Sequence, residues 1–167
     1  MYIKVNGAWK LGRVLYKEGG EWNYPSGVES PYLPFTVTKP SSASYGFAKN
    51  NNGLWESQNK GVASSAAVGI VNFTLTKTTT VVVECINSGE ANFDFGIISN
   101  LGASLGTTST VDTTSVKHSF KGSSSTSIQT ISFGALAAGT YSFYIKFRKD
   151  GSVNSGNDSL QFTLVKG

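Results

Sequence analysis

The segment Tyr141-Ser142-Phe143-Tyr144-Ile145-Lys146-Phe147-Arg148 constrains the fold more than any other part of the chain. Its odd-numbered positions are apolar, while Tyr144, Lys146 and Arg148 alternate with them. A period of two gives one dry face and one wet face only in a β-strand. The same alternation recurs upstream. Val71, Phe73 and Leu75 share a face, as do Val81, Val83 and Cys85, and Phe93, Phe95 and Ile97 alternate with Asn92, Asp94 and Gly96. Tyr45–Phe47, Leu54–Ser57, Val116–Phe120, Ile128–Phe133, Gly139–Lys149 and Leu160–Val165 read as further strands. No segment sustains a period of 3.6.

About eight or nine short strands separated by regular turn signals predict an antiparallel β-sandwich. A jelly roll fits best and an immunoglobulin-like sandwich second, since the Cys–Trp–Cys pattern of immunoglobulin domains is missing. Composition agrees. Only 14% of residues are charged, while 39% are hydrophobic and 12% aromatic, enough to build a core and unlike a disordered chain or a charged helical bundle. The surface is made polar by hydroxyls and amides.

All four prolines, Pro25, Pro31, Pro34 and Pro40, fall in one stretch. Residues 25–40 therefore read as an extended linker between an N-terminal piece, 1–24, and a sandwich domain, 41–167. The N-terminal piece repeats itself: Ile3-Lys4-Val5-Asn6-Gly7-Ala8-Trp9-Lys10 aligns with Tyr16-Lys17-Glu18-Gly19-Gly20-Glu21-Trp22-Asn23. Asn6-Gly7 and Gly19-Gly20 are type I′ turn dipeptides, so each copy predicts a tight hairpin. Two such hairpins cannot bury Trp9 and Trp22 by themselves. A spacer that holds modules apart favours their burial against another chain, which makes both tryptophans candidate assembly anchors.

Reactive chemistry is scarce. One His (His118) and one Cys (Cys85) exclude a Cys/His zinc site and an internal disulfide. His118 next to Ser119 sits in an expected strand, without a nucleophile elbow. Glu90 and Asp94 are spaced to flank a glycosidic bond if their loop folds back, but amid Asn, Ser and Gly they read as turn caps or lysine partners. Glu84 belongs to the outer sheet surface. Asp150–Asp158 is rich in oxygen ligands, as calcium loops are, yet lacks the EF-hand's closing Glu. It reads as a hairpin loop that satisfies its own backbone, and no metal or other cofactor is expected.

The net charge of +4 is thinly spread. Lys146, Arg148 and Lys149 come together, but Asp150 follows them and no basic stripe forms, so nucleic acid is not the expected partner. No run reaches the roughly 18 apolar residues that span a bilayer, and the first residues carry no apolar signal core. Synthesis in a cytoplasm without membrane insertion is the expectation. Sugar binding fits the residue types better. Asn51, Asn52 and Trp55 bring amides and an indole to one turn, and Tyr144 beside Lys146 and Arg148 offers a second aromatic and polar surface.

Two sets of residues resemble a known group of proteins. Tyr2-Ile3-Lys4-Val5-Asn6-Gly7-Ala8-Trp9-Lys10 and its second copy are similar to the KVNGxWK hairpins of tailed-bacteriophage virion proteins. Trp55-Glu56-Ser57, residues 87–101, Phe120-Lys121-Gly122, residues 145–150 and residues 155–160 resemble phage fibre, tail and capsid-decoration domains. The resemblance implies a non-enzymatic structural protein on the virion surface. It also implies virion proteins and sister subunits as partners, usually in a trimer, and a projecting sandwich that meets host-surface glycan. A stand-alone carbohydrate-binding module of a cell-wall-active system is the alternative, with a glycosidase or lyase third.

Overall fold

The computed structural model describes residues 2–5, 8–11, 16–18, 21–23, 30–89, 95–103, 116–121, 128–151 and 158–167. These hold fourteen strands and, among the described residues, no helix. In chain order they are β1 (Tyr2–Val5), β2 (Ala8–Leu11), β3 (Tyr16–Glu18), β4 (Glu21–Asn23), β5 (Phe35–Thr38), β6 (Phe47–Lys49) and β7 (Trp55–Ser57). They continue as β8 (Ala66–Leu75), β9 (Thr79–Asn87), β10 (Phe95–Ser99), β11 (Val116–Lys121), β12 (Gln129–Leu136), β13 (Gly139–Arg148) and β14 (Leu160–Lys166). The chain divides into two compact units, Met1–Pro31 and Tyr32–Gly167.

In the first unit, β1 pairs with β2 and β3 with β4, both antiparallel. The two ladders repeat one register: Trp9 stands opposite Lys4, and Trp22 opposite Lys17. The turn dipeptides Asn6-Gly7 and Gly19-Gly20 lie outside the described residues.

The second unit is a sandwich of two five-stranded sheets, ordered β11-β10-β13-β8-β5 and β12-β9-β14-β7-β6. Successive strands cross between the layers: β8 is in the first, β9 in the second, β12 in the second, β13 in the first and β14 in the second. That crossing is jelly-roll-like, and every strand pairing is antiparallel. The inner faces are those the alternation predicted. Val71, Phe73, Leu75, Val81, Val83, Cys85, Phe143, Ile145 and Phe147 are buried with Leu160, Phe162 and Leu164. Each large apolar side chain taken from water in this way contributes about 1.5–3 kcal/mol.

The layers meet closely at Gly69 on β8. A Cβ there would lie 2.7 Å from Val37 Cγ1 and 3.1 Å from Phe47 Cδ2, so a hydrogen in place of a methyl is what admits both neighbours.

Three expectations are corrected. The proline-rich stretch 25–40 is not a linker throughout. Leu33 donates its amide to Leu164 O (3.0 Å) and Tyr32 bridges Val165, both on the second sheet. Phe35–Thr38 then pairs along β8 as the edge of the first sheet. Proline has no amide to donate, and Pro34 sits at the crossover where no ladder bond is needed. Residues 24–29 lie outside the described residues. On β10 the core residue is Ile98, not Ile97, because Ile98 stands opposite the inward Ile145 of β13 while Ile97 stands opposite Lys146 on the outer face. Finally, Lys146 does not face open solvent with Arg148. It is only 4% exposed, in a cleft walled by residues 42–45 and 62–66.

Candidate functional site

The flank where edge strands β5 and β6 come together carries a groove of about 440 Å³. Its position follows from the crossover just described. The run Tyr32-Leu33-Pro34-Phe35 passes from one sheet to the other and forms one wall, while Lys49, Asn52, Gly53, Leu54 and Trp55 form the facing one.

Register places the indole. Lys49, Trp55 and Phe162 are cross-strand neighbours on β6, β7 and β14, so Trp55 shares the inward row with the buried Phe162. At the sheet margin it is only partly covered. It packs on Phe35 (ring centroids 6.2 Å), which in turn packs on Phe162 (5.8 Å). Trp55 is therefore both a core lid and a groove wall. Lys49 Nζ lies 6.0 Å from the indole centroid, at the outer reach of a cation–π contact. Across the groove Tyr32 is 41% exposed.

The β6–β7 turn fixes the polar rim. Asn50 Oδ1 accepts the backbone N–H groups of Asn52 (3.0 Å) and Leu54 (3.1 Å). The Asn50 backbone N–H in turn donates to Leu54 O (2.8 Å). Gly53, at φ +78°, closes the turn with a bond to Asn50 O (3.0 Å), a conformation that costs glycine nothing and other residues about 1 kcal/mol or more. Asn50 thus spends its side chain on the backbone and leaves Asn52 on the rim.

Of the candidates singled out by sequence, the groove gathers Asn52 and Trp55. Asn51 is exposed in the same turn but outside the lining. Tyr144 lies elsewhere. It sits half-buried on β13, in the middle of the other sheet, and its backbone N–H donates to Ser99 Oγ (2.8 Å). Sequence reading missed Tyr32, Phe35 and Lys49. The alternation Phe35-Thr36-Val37-Thr38 was a usable strand signal, masked by the surrounding prolines. For Trp9 and Trp22 the structure gives strand positions and cross-strand partners alone.

The groups weighed for catalysis do not converge among the described residues. His118 is exposed on edge strand β11. Glu84 is half-buried on β9, level with Thr130 and Thr163 on the outer face. Glu90 and Asp94 lie outside the described residues. Burial pushes the Cys85 thiol up to about 12, and its Sγ donates to Gln129 O (3.6 Å). Of the oxygen-rich loop, Asp158 is 4% exposed and pairs with the buried Lys149 (Nζ–Oδ2 3.0 Å), so its carboxylate is engaged. Residues 152–157 lie outside the described residues. Among the described residues, no cluster of three or more metal-ligating side chains occurs.

No protein-family model matches the chain, and no curated protein sequence matches it. Among solved structures it is similar to a carbohydrate-binding module of Cellvibrio mixtus lichenase 5A in complex with cellotriose. Identity there is 11% over 81% of this chain and 95% of that one, with a TM-score of 0.39. It is also similar to an adhesin domain of Lys-gingipain from Porphyromonas gingivalis, at 11% identity over 81% of this chain and 91% of that one, with a TM-score of 0.40.

Proposed function

We propose that the chain is a non-enzymatic surface protein of a bacteriophage particle, whose sandwich binds a saccharide in the groove beside Trp55. The observation that carries the binding role is the groove itself. It sets Trp55 against Tyr32 and Phe35, with Lys49 and Asn52 on the rim. A pyranose ring has an apolar face that packs on aromatic rings and hydroxyls that need nearby donors and acceptors. An open groove with aromatic walls and few, placed polar groups supplies both.

The virion role is supported by the repeated KVNGxWK-like hairpins, which share one register and belong to a compact unit of their own. In this reading the hairpins of residues 1–24 dock on the particle or on sister subunits through Trp9 and Trp22. The stand-alone carbohydrate-binding module uses the same groove and needs no docking unit.

A glycan array with the full chain and Trp55→Ala tests the binding role. Binding to a defined set of saccharides, lost in the variant while the β-sheet circular dichroism is kept, is the expected result. No binding anywhere on the array, or undiminished binding by the variant, would overturn it. For the virion role, deleting residues 1–31 should abolish incorporation into particles, and normal incorporation would refute docking through the hairpins.

A further inference from the structure

The sequence holds two Asn-Gly dipeptides, Asn6-Gly7 and Asn52-Gly53. The first lies outside the described residues. The second stands on the wall of the groove beside Trp55, and its chemistry is independent of any saccharide.

An asparagine followed by glycine is open to attack by its own backbone. With no side chain beside it, the glycine nitrogen reaches the asparagine Cγ more readily than a nitrogen flanked by a Cβ. At Asn52 the surroundings admit this reaction. Asn52 and Gly53 are both exposed, and a Cβ on Gly53 would meet nothing within 4 Å, so water reaches the dipeptide. Asn87-Ser88 is the contrast. Asn87 is 1% exposed and its Oδ1 accepts the Gly89 N–H (3.1 Å), so its side chain is sealed and engaged.

The same turn holds the reaction back. Gly53 N–H, the attacking group, donates to Asn50 O (3.0 Å). Asn50 Oδ1 fixes the backbone on either side by accepting the N–H groups of Asn52 (3.0 Å) and Leu54 (3.1 Å). Attack on the Asn52 side chain requires the first bond to break and the peptide between residues 52 and 53 to turn. The two Oδ1 bonds oppose that turning.

We infer that Asn52 is a site of spontaneous deamidation whose rate is set by the Asn50 clamp. Gly53 N bonds to Asn52 Cγ, the Cγ–Nδ2 bond breaks, and ammonia leaves with the proton from Gly53 N. Water then opens the succinimide at either carbonyl, giving aspartate or isoaspartate at position 52, with no oxidant or reductant required. The product sets a carboxylate on the wall that carries Lys49 and Trp55, so the rim of the groove changes charge as the protein ages.

The test is peptide mapping by tandem mass spectrometry of the full chain after incubation in mildly alkaline buffer, folded and in guanidinium chloride. Acid at position 52 should accumulate in the folded chain, about fivefold or more slowly than in denaturant, where the clamp is gone. Asn50→Ala, its fold checked by circular dichroism, should raise the folded rate about fivefold or more. Asn50→Asp keeps an acceptor in the same place and should stay near the parental rate. No acid at position 52 in the folded chain, alongside conversion in denaturant, would overturn the site. A folded rate equal to that in denaturant, unchanged in Asn50→Ala, or raised as much in Asn50→Asp, would overturn the clamp. Should Asn50→Ala fail to fold, the comparison of the folded and denatured parent decides.

Discussion

Removing Asp158 should cost the sandwich more than any surface charge. Its Oδ2 lies 3.0 Å from Lys149 Nζ, and the two side chains are 5% and 1% exposed. An ammonium so enclosed has no water to replace a lost partner. Breaking such a pair from one side costs about 3–5 kcal/mol, because the remaining charge stays buried and uncompensated. For a domain of this size each kcal/mol moves the melting temperature by about 3–5 °C, so Asp158→Ala should melt roughly 10–20 °C below the parent. Thermal and urea unfolding followed by circular dichroism read this directly. The double variant Lys149→Met, Asp158→Leu removes both charges and fills the space, and should recover most of the loss. A cost below about 1 kcal/mol for Asp158→Ala, within the range of exposed pairs, would show that water reaches Lys149. A double variant no better than the single one would show that the penalty is packing rather than stranded charge.

Other changes have equally definite outcomes. Gly69→Ala forces its new methyl to within 2.7 Å of Val37 and should destabilise by about 1–3 kcal/mol in urea titration; an unchanged midpoint would mean that β5 shifts freely. Cys85, with its thiol raised from 9.0 to about 12, should resist alkylation at pH 8 until the protein unfolds, and labelling in the native state at the rate of a free thiol would contradict the burial. Its unfolded thiol ionises first as pH rises, so stability from this group is intact below pH 9.0 and falls between there and about 12. Asn50→Ala strips two acceptor bonds from the β6–β7 turn and should cost about 1–3 kcal/mol. It should also weaken saccharide binding, which calorimetry would show, because Asn52 loses its setting on the rim.

Alternation was enough to place the core, since Val71, Phe73, Val81, Val83, Phe143, Ile145 and Phe147 are buried where period two puts them. It failed where a second rule competes with it. Proline composition suggested a linker, but the Tyr32-Leu33 pair between Pro31 and Pro34 keeps its amides, and the bond from Leu33 N–H to Leu164 O ties the segment to a sheet. On β10 the adjacent Ile97 and Ile98 let the local pattern fit either phase, and only pairing with Ile145 on β13 turns Ile98 inward. Lys146 occupies an outward position that tertiary structure then covers. Residues 42–45 and 62–66 are distant in sequence from β13, and nothing around Lys146 reports their approach. The groove was half legible for the same reason: Asn52 and Trp55 belong to one turn, whereas Tyr32 and Phe35 arrive from a crossover.

A sandwich with few charges leaves any recognition to what its edges and loops assemble. In the proposed reading the aromatic walls beside Trp55 do that work, and they stay partly wet, so saccharide binding there should follow apolar area and survive salt. Calorimetry of the full chain with the saccharide found on the array, at low and at high ionic strength, checks this. An affinity that changes little with salt but is lost in Trp55→Ala is the expected result. An affinity that falls steeply with salt would put the recognition on charge and not on the indole.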